Sequence, residues 1–371
     1  MKLWLDIFFM MSLFTVIVIT YLFKKNLINL MKLEFGGKFM LIPVNINSSI
    51  EVNNLDIEIL QFKDLGIKEE HIEDFLRKNI EIIIDDETLL VIGRQVRNIE
   101  KGRSDLTAID KDGNLVLIEI KRDLDDIKIR KEPFEFQAIR YAASYAKIKN
   151  VDEAVEKIFV PYILKYNDEF ELGELTPEEK GKRILNEFLE KNNALKTFNK
   201  KQRIILVASG FDAQTLSAVA WLIENGVDIN CIEIVPVKIG EQMLLQSNQI
   251  LPLQKLDDYY VEIEDKNTTT SGQSKITRKY LPRMNKLFEW GIIKAGDMVE
   301  IKNYPNSEAK VIDIQKVEYK DEVMSFNQWG EKVTEWSSVN IYEWTILKGS
   351  NKTLHELRME KMEELQNDKL D

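Results

Sequence analysis

The sequence predicts an α/β fold built on a mixed sheet, and three stretches carry that prediction. Residues 102–121, GRSDLTAIDKDGNLVLIEIK, read as two apolar strands joined at Asp112-Gly113, a strong hairpin signal. Residues 203–237 read as a strand RIILVAS, a helix from about Ala213 to Asn225 and a strand IEIVPV, an order that pairs its strands in parallel through a right-handed crossover. Between the two lie a helix from about Glu132 to Lys147, with Pro133 suited to its first turn, and two further helical patterns over 151–195.

Taken from the N-terminus, residues 3–23 are apolar apart from Asp6, Ser12 and two threonines. The stretch of about 17 residues after Asp6 reaches the lower limit for spanning a bilayer. Lys24 and Lys25 follow, which by the positive-inside rule would leave the remainder in the cytoplasm, held to the inner face of the cell membrane by one uncleaved hydrophobic helix. A start at Met31 or Met40 is the competing reading. From about Ile42 to Phe62 short strands surround Asn53-Asn54, and KEEHIEDFLRKNIEII then places Ile72, Phe75, Leu76 and Ile80 at helical spacing. The strand LLVIGRQV (89–96) comes next, so the order runs helix, strand, strand, strand, helix.

With a loop at Lys111 to Gly113, facing positions of the hairpin sum to 224, which sets Asp105 opposite Glu119. Alternation puts Glu119 and Lys121 on one face with Asp105. Like charges across a ladder repel, and a divalent cation is the natural reason to keep them. Mg²⁺ takes one or two carboxylates and keeps several waters, and a lysine beside it suits an attacking water and a charged phosphate. The bland alternative is a solvated hairpin whose charges face water.

Further along, Gln137 and Tyr141 share a helix face. Glu73 in HIEDFL, Asp105 in GRSDL, Glu119 and Lys121 in IEIKR, and Gln137 and Tyr141 in QAIRY together resemble the PD-(D/E)xK nucleases, in the RecB-like and NucS-like branch, over about residues 50–260. The proline before the Asp is missing. The resemblance implies a restriction-endonuclease-like αβββαβ core acting on DNA, with Mg²⁺ or Mn²⁺ on Asp105 and Glu119, Lys121 assisting the attacking water, and Gln137 with Tyr141 bordering the site. Glu73 would complete the acidic cluster, with Glu70 in reserve. Arg94, Arg103 and Arg122 are candidates for the DNA path, scattered surface cations being the alternative. A single site that must cut two strands would favour a homodimer.

Residues 265–277 lie in a Thr-, Ser- and Gly-rich linker, EDKNTTTSGQ at its heart. Beyond it, 278–357 form a small α+β domain that resembles the RAMA module of restriction- and methylation-associated proteins, which implies DNA targeting. Trp336 and Trp344 could stack on bases, or form its core. Residues 358–371 read as a charged tail. The expected domains are thus a membrane anchor at 1–30, a nuclease-like domain at 42–264, and this module.

Composition narrows the chemistry. The 371 residues are 44% hydrophobic with a net charge of −11, enough for real cores and unlike a protein that coats nucleic acid. The single cysteine, Cys231, excludes disulfides within the chain, and two histidines argue against a His-based zinc site or a Ser-His-Asp hydrolase. The expected activity is metal-dependent DNA cleavage in restriction or repair. The alternative is an inactive, membrane-tethered DNA-binding scaffold.

Overall fold

The computed structural model describes residues 44–46, 50–52, 56–84, 86–97, 102–129, 132–253 and 281–367. The expected anchor at 1–30 and linker at 265–277 lie outside the described residues. No helix among the described residues is long and apolar enough to cross a membrane. The chain divides into two compact units, residues 1–60 with 236–245, and residues 61–235 with 246–371.

The smaller unit holds a hairpin of β1 (Val44–Ile46) and β2 (Ile50–Val52), in register Val44↔Val52 and Ile46↔Ile50. Its β3 (Ile57–Ile59) pairs antiparallel with residues 237–239.

In the larger unit a mixed sheet runs in the order residues 229–235 of β8 (Ile229–Ile239), β7 (Gln202–Ala208), β6 (Leu115–Lys121), β5 (Arg103–Asp110), β4 (Leu89–Arg97). The β4–β5 and β5–β6 pairs are antiparallel, and β6–β7 and β7–β8 are parallel. The run Leu115–Ile118 with Ile120 is apolar on both faces because β6 is central and covered on both sides; every residue of the strand, Glu119 included, is buried. Its hairpin partner follows the expected register, with Leu106↔Ile118 through Ile109↔Leu115. The turn needs Gly113, whose φ is 84° and whose added Cβ would sit 2.9 Å from the Ala194 carbonyl oxygen.

Two helices brace this sheet, and a third packs on the helical segment 151–165. In α1 (Glu69–Lys78), Ile72 and Leu76 turn inward and carry Glu73 with them. In α2 (Phe134–Tyr145), Phe134, Ala138, Tyr141 and Tyr145 are buried at helical spacing, and Pro133 stands just before the first turn. The third, α3 (Pro177–Lys191), starts from a capping box in which Thr176 and Glu179 exchange hydrogen bonds. The crossover between β7 and β8 is α4 (Ala213–Glu224), which Asp212 caps by accepting from the Thr215 N–H at 2.7 Å. Cys231 is buried.

The C-terminal residues build their own antiparallel sheet, ordered β12 (Glu322–Ser325), β11 (Lys316–Tyr319), β10 (Ala309–Val311), β9 (Met298–Ile301), β13 (Thr345–Leu347). They pack on the turn end of the hairpin within the same compact unit. Ser338 bridges to Leu89 in both directions, Ser337 Oγ accepts from the Val91 N–H, and Asn340 N–H donates to Thr88 Oγ1. The base-stacking expectation for Trp336 and Trp344 is corrected here. Both are buried, their rings meet edge-to-face at 4.8 Å, and Trp336 also packs on Phe188 of α3 at 5.0 Å. They are core residues with no face left for a base. The described part of the expected charged tail belongs to a helix, α5 (Leu354–Asn367), whose first turns dock: Leu354 and Arg358 are buried, and the Arg358 guanidinium lies 4.2 Å from the centre of the Tyr342 ring.

Candidate metal centre

The open end of the β5–β6 hairpin meets the first turns of α1, and there the carboxylates gather. Glu69 and Glu73 lie four apart on α1 and so share a face, while Asp105 sits next beyond the last hairpin rung. One oxygen from each of Glu69, Glu73 and Asp105 lies within 4.8 Å of the others. Glu73 and Asp105 are 2% and 4% exposed, whereas the Glu69 side chain keeps 35% of its surface and forms the mouth.

At this rung the ladder gives way to side-chain chemistry. Asp105 Oδ2 accepts the Ile120 N–H at 2.7 Å. Lys121 Nζ, nearly buried, donates to Glu69 Oε1 at 3.0 Å and to the Ile120 carbonyl at 2.8 Å, and lies 3.8 Å from Glu119 Oε1. Burial pushes the Asp105 carboxyl up to about 7, helped by Glu73 and Glu69 and opposed by Lys121 and the Ile120 N–H.

The expected residues fall at distinct places. Glu119 is fully buried, accepts from Gln137 Nε2 and lies outside the three-carboxylate group. Tyr141 accepts the Arg103 N–H at 3.1 Å and fixes the start of β5. Arg94 is turned inward. Its guanidinium donates to Glu73 Oε2, Asp74 Oδ1, the Glu70 carbonyl and Tyr166 Oη, which leaves it little to offer a nucleic acid. Arg122 pairs with Asp126 and Asp123. Of the three arginines Arg103 is the exposed one.

Two residues escaped the sequence reading. Glu69 and Glu70 lie four and three residues before Glu73, both within one helical turn of it, and it is Glu69 that joins the cluster. Tyr145 continues the face of Gln137 and Tyr141, and its hydroxyl bonds Ser104 Oγ at 2.7 Å and Thr107 Oγ1 at 2.6 Å. The four-residue spacing from Gln137 through Tyr141 marks Tyr145, whereas no spacing separates Glu69 from Glu70.

The donor set fits a hard divalent cation. Three carboxylates, two of them nearly dry, face one lysine and one arginine. Such groups are costly to bury without compensating positive charge, and all-oxygen ligands suit Mg²⁺ or Mn²⁺.

No family model and no curated protein matches this sequence. Among solved structures, the EndoMS-dsDNA2 complex is similar over 44% of this chain and 43% of that one, at 20% identity and a TM-score of 0.21, too slight a likeness to carry an argument.

Proposed function

We propose that this chain is a divalent-metal-dependent nuclease that hydrolyses DNA phosphodiester bonds on a restriction-endonuclease-like core, in defence or repair. The observation that carries the reading is the convergence of Glu69, Glu73 and Asp105 beside the nearly buried Lys121. Glu69, Glu73 and Asp105 would hold the cation, with Glu119 close behind. A bound cation of this kind neutralises phosphate charge and makes water a better nucleophile.

The chain's own residues supply the rest. Lys121 Nζ is placed by two hydrogen bonds to accept or return a proton at the attacking water and to stabilise charge on the phosphate. Gln137 orients Glu119, and Tyr141 with Tyr145 holds β5 so that Asp105 stays at the mouth. The anchor at residues 3–23, a homodimer and DNA targeting by the C-terminal module are further parts of the reading, tested by fractionation, light scattering and binding of labelled DNA.

The deciding experiment incubates the full chain with labelled single-stranded, duplex, branched and methylated DNA, with Mg²⁺ or Mn²⁺ and with EDTA, beside Asp105→Asn. Cutting that needs the metal and disappears in the variant is the expected result. A folded protein that binds DNA and cuts none of these substrates would be the scaffold instead.

A further inference from the structure

Glu73 is held in an unusual way. Arg94 Nε and Gln95 Nε2 donate to the same oxygen, Oε2, at 3.0 and 2.9 Å. No hydrogen bond to Oε1 is found among the described residues. In a regular strand, consecutive side chains leave on opposite faces, so residues 94 and 95 should not reach one atom.

Two features of β4 make it possible. The β4–β5 register shifts between Val91 and Gly93, so Ile92 is an extra residue. Gly93 is forced by crowding: a Cβ there would lie 2.7 Å from Ile158 Cγ2. After the shift Arg94 faces Leu106 and Val96 faces Ser104, which brings Gln95 level with Asp105, the one position in this stretch without a ladder partner. Gln95 itself adopts φ 58°, a left-handed backbone that strains glutamine and suits Asn or Gly.

We propose that Gln95, together with Arg94, is a positioning residue of the metal centre. It pins one oxygen of Glu73 and leaves the other clear of protein donors for the cation, and the bulge and left-handed turn exist to bring it there. The inference rests on the metal-dependent reading above. Strain kept at a residue whose side chain reaches the acidic cluster is where functional geometry is expected to override local backbone preference.

Gln95→Asn separates this role from folding. Asparagine accepts the left-handed backbone more readily, yet its amide is one methylene too short to reach Glu73. In the full chain, thermal unfolding without metal should stay unchanged or rise, while Mn²⁺ affinity, read by electron paramagnetic resonance of free Mn²⁺, should fall about tenfold, the usual scale for losing a residue that orients a metal ligand. A wild-type chain that binds no Mn²⁺ removes the metal centre and this proposal with it. A wild type that binds, matched by the variant, overturns the positioning role alone. Weaker Mn²⁺ binding with a lowered unfolding temperature would make Gln95 structural and overturn it too.

Discussion

The two ends of the β5–β6 hairpin are built by opposite rules. At the turn end, charge is matched: Lys180 meets Glu335 at 3.0 Å, Lys111 meets Glu343 at 3.2 Å, and Arg203 meets Glu87. Tryptophan rings close the gaps. At the open end, roughly 17 Å away by the rise of five strand residues, three carboxylates share a mouth with one lysine and a preoccupied arginine. One end spends its residues on stability and the other keeps a charge imbalance that a bound cation or a proton on Asp105 would relieve.

Breaking the open end should cost function most. Lys121→Ala is expected to lower DNA cleavage by about 10²–10⁴-fold, the usual worth of a placed proton-transfer group, while gel-shift affinity for DNA persists. Unaltered cutting would remove Lys121 from the chemistry. The reverse pattern marks the turn end. Trp336→Ala should cost about 3–5 kcal/mol in urea unfolding, with the Mn²⁺ affinity of the remaining folded protein unchanged.

The contrast sharpens with Asp105→Asn, which should abolish Mn²⁺ binding and yet raise the unfolding temperature of the metal-free protein by a few degrees. The gain follows because a buried like charge is gone while an oxygen remains for the Ile120 N–H. A fall in that temperature would show the cluster to be stabilising as it stands.

Asp105 also sets a pH dependence. Its carboxyl is raised from an ordinary value of 3.8 to about 7, chiefly by burial. Between those values the folded chain holds a proton that the unfolded chain has released, so the metal-free fold loses stability as pH rises through the window. A cation must displace that proton, so Mn²⁺ affinity should climb by about tenfold per pH unit below 7 and level off above it. A flat calorimetric profile from pH 5.5 to 8 would contradict this. The smallest effect belongs to Glu343→Gln at the turn end. Its pair with Lys111 is a third exposed on both sides, and its loss should cost under about 1 kcal/mol in urea unfolding.

Much of the fold was legible because local rules specified it. The Asp112-Gly113 turn fixed the hairpin register to the residue. The acidic cluster was half legible. Asp105, Glu119 and Lys121 follow from the hairpin, although alternation shows a face and says nothing of depth. The structure buries Glu119 fully and bonds it to Gln137.

By itself the sequence determined the strand and helix order, the hairpin register and the face that gathers Asp105, Glu119 and Lys121, since each depends on neighbours within a few residues. Only tertiary structure decided that Glu69 and not Glu70 joins Glu73, that Arg94 and Gln95 converge on one oxygen, and that Trp336 and Trp344 lie in a core. Those outcomes turn on which helix face docks, on a one-residue bulge, and on the packing of α3 against a segment some 150 residues further along the chain, as in the Lys180–Glu335 pair. Such contacts leave no periodic mark in a sequence, because the partners that settle them are distant in it and adjacent only in space.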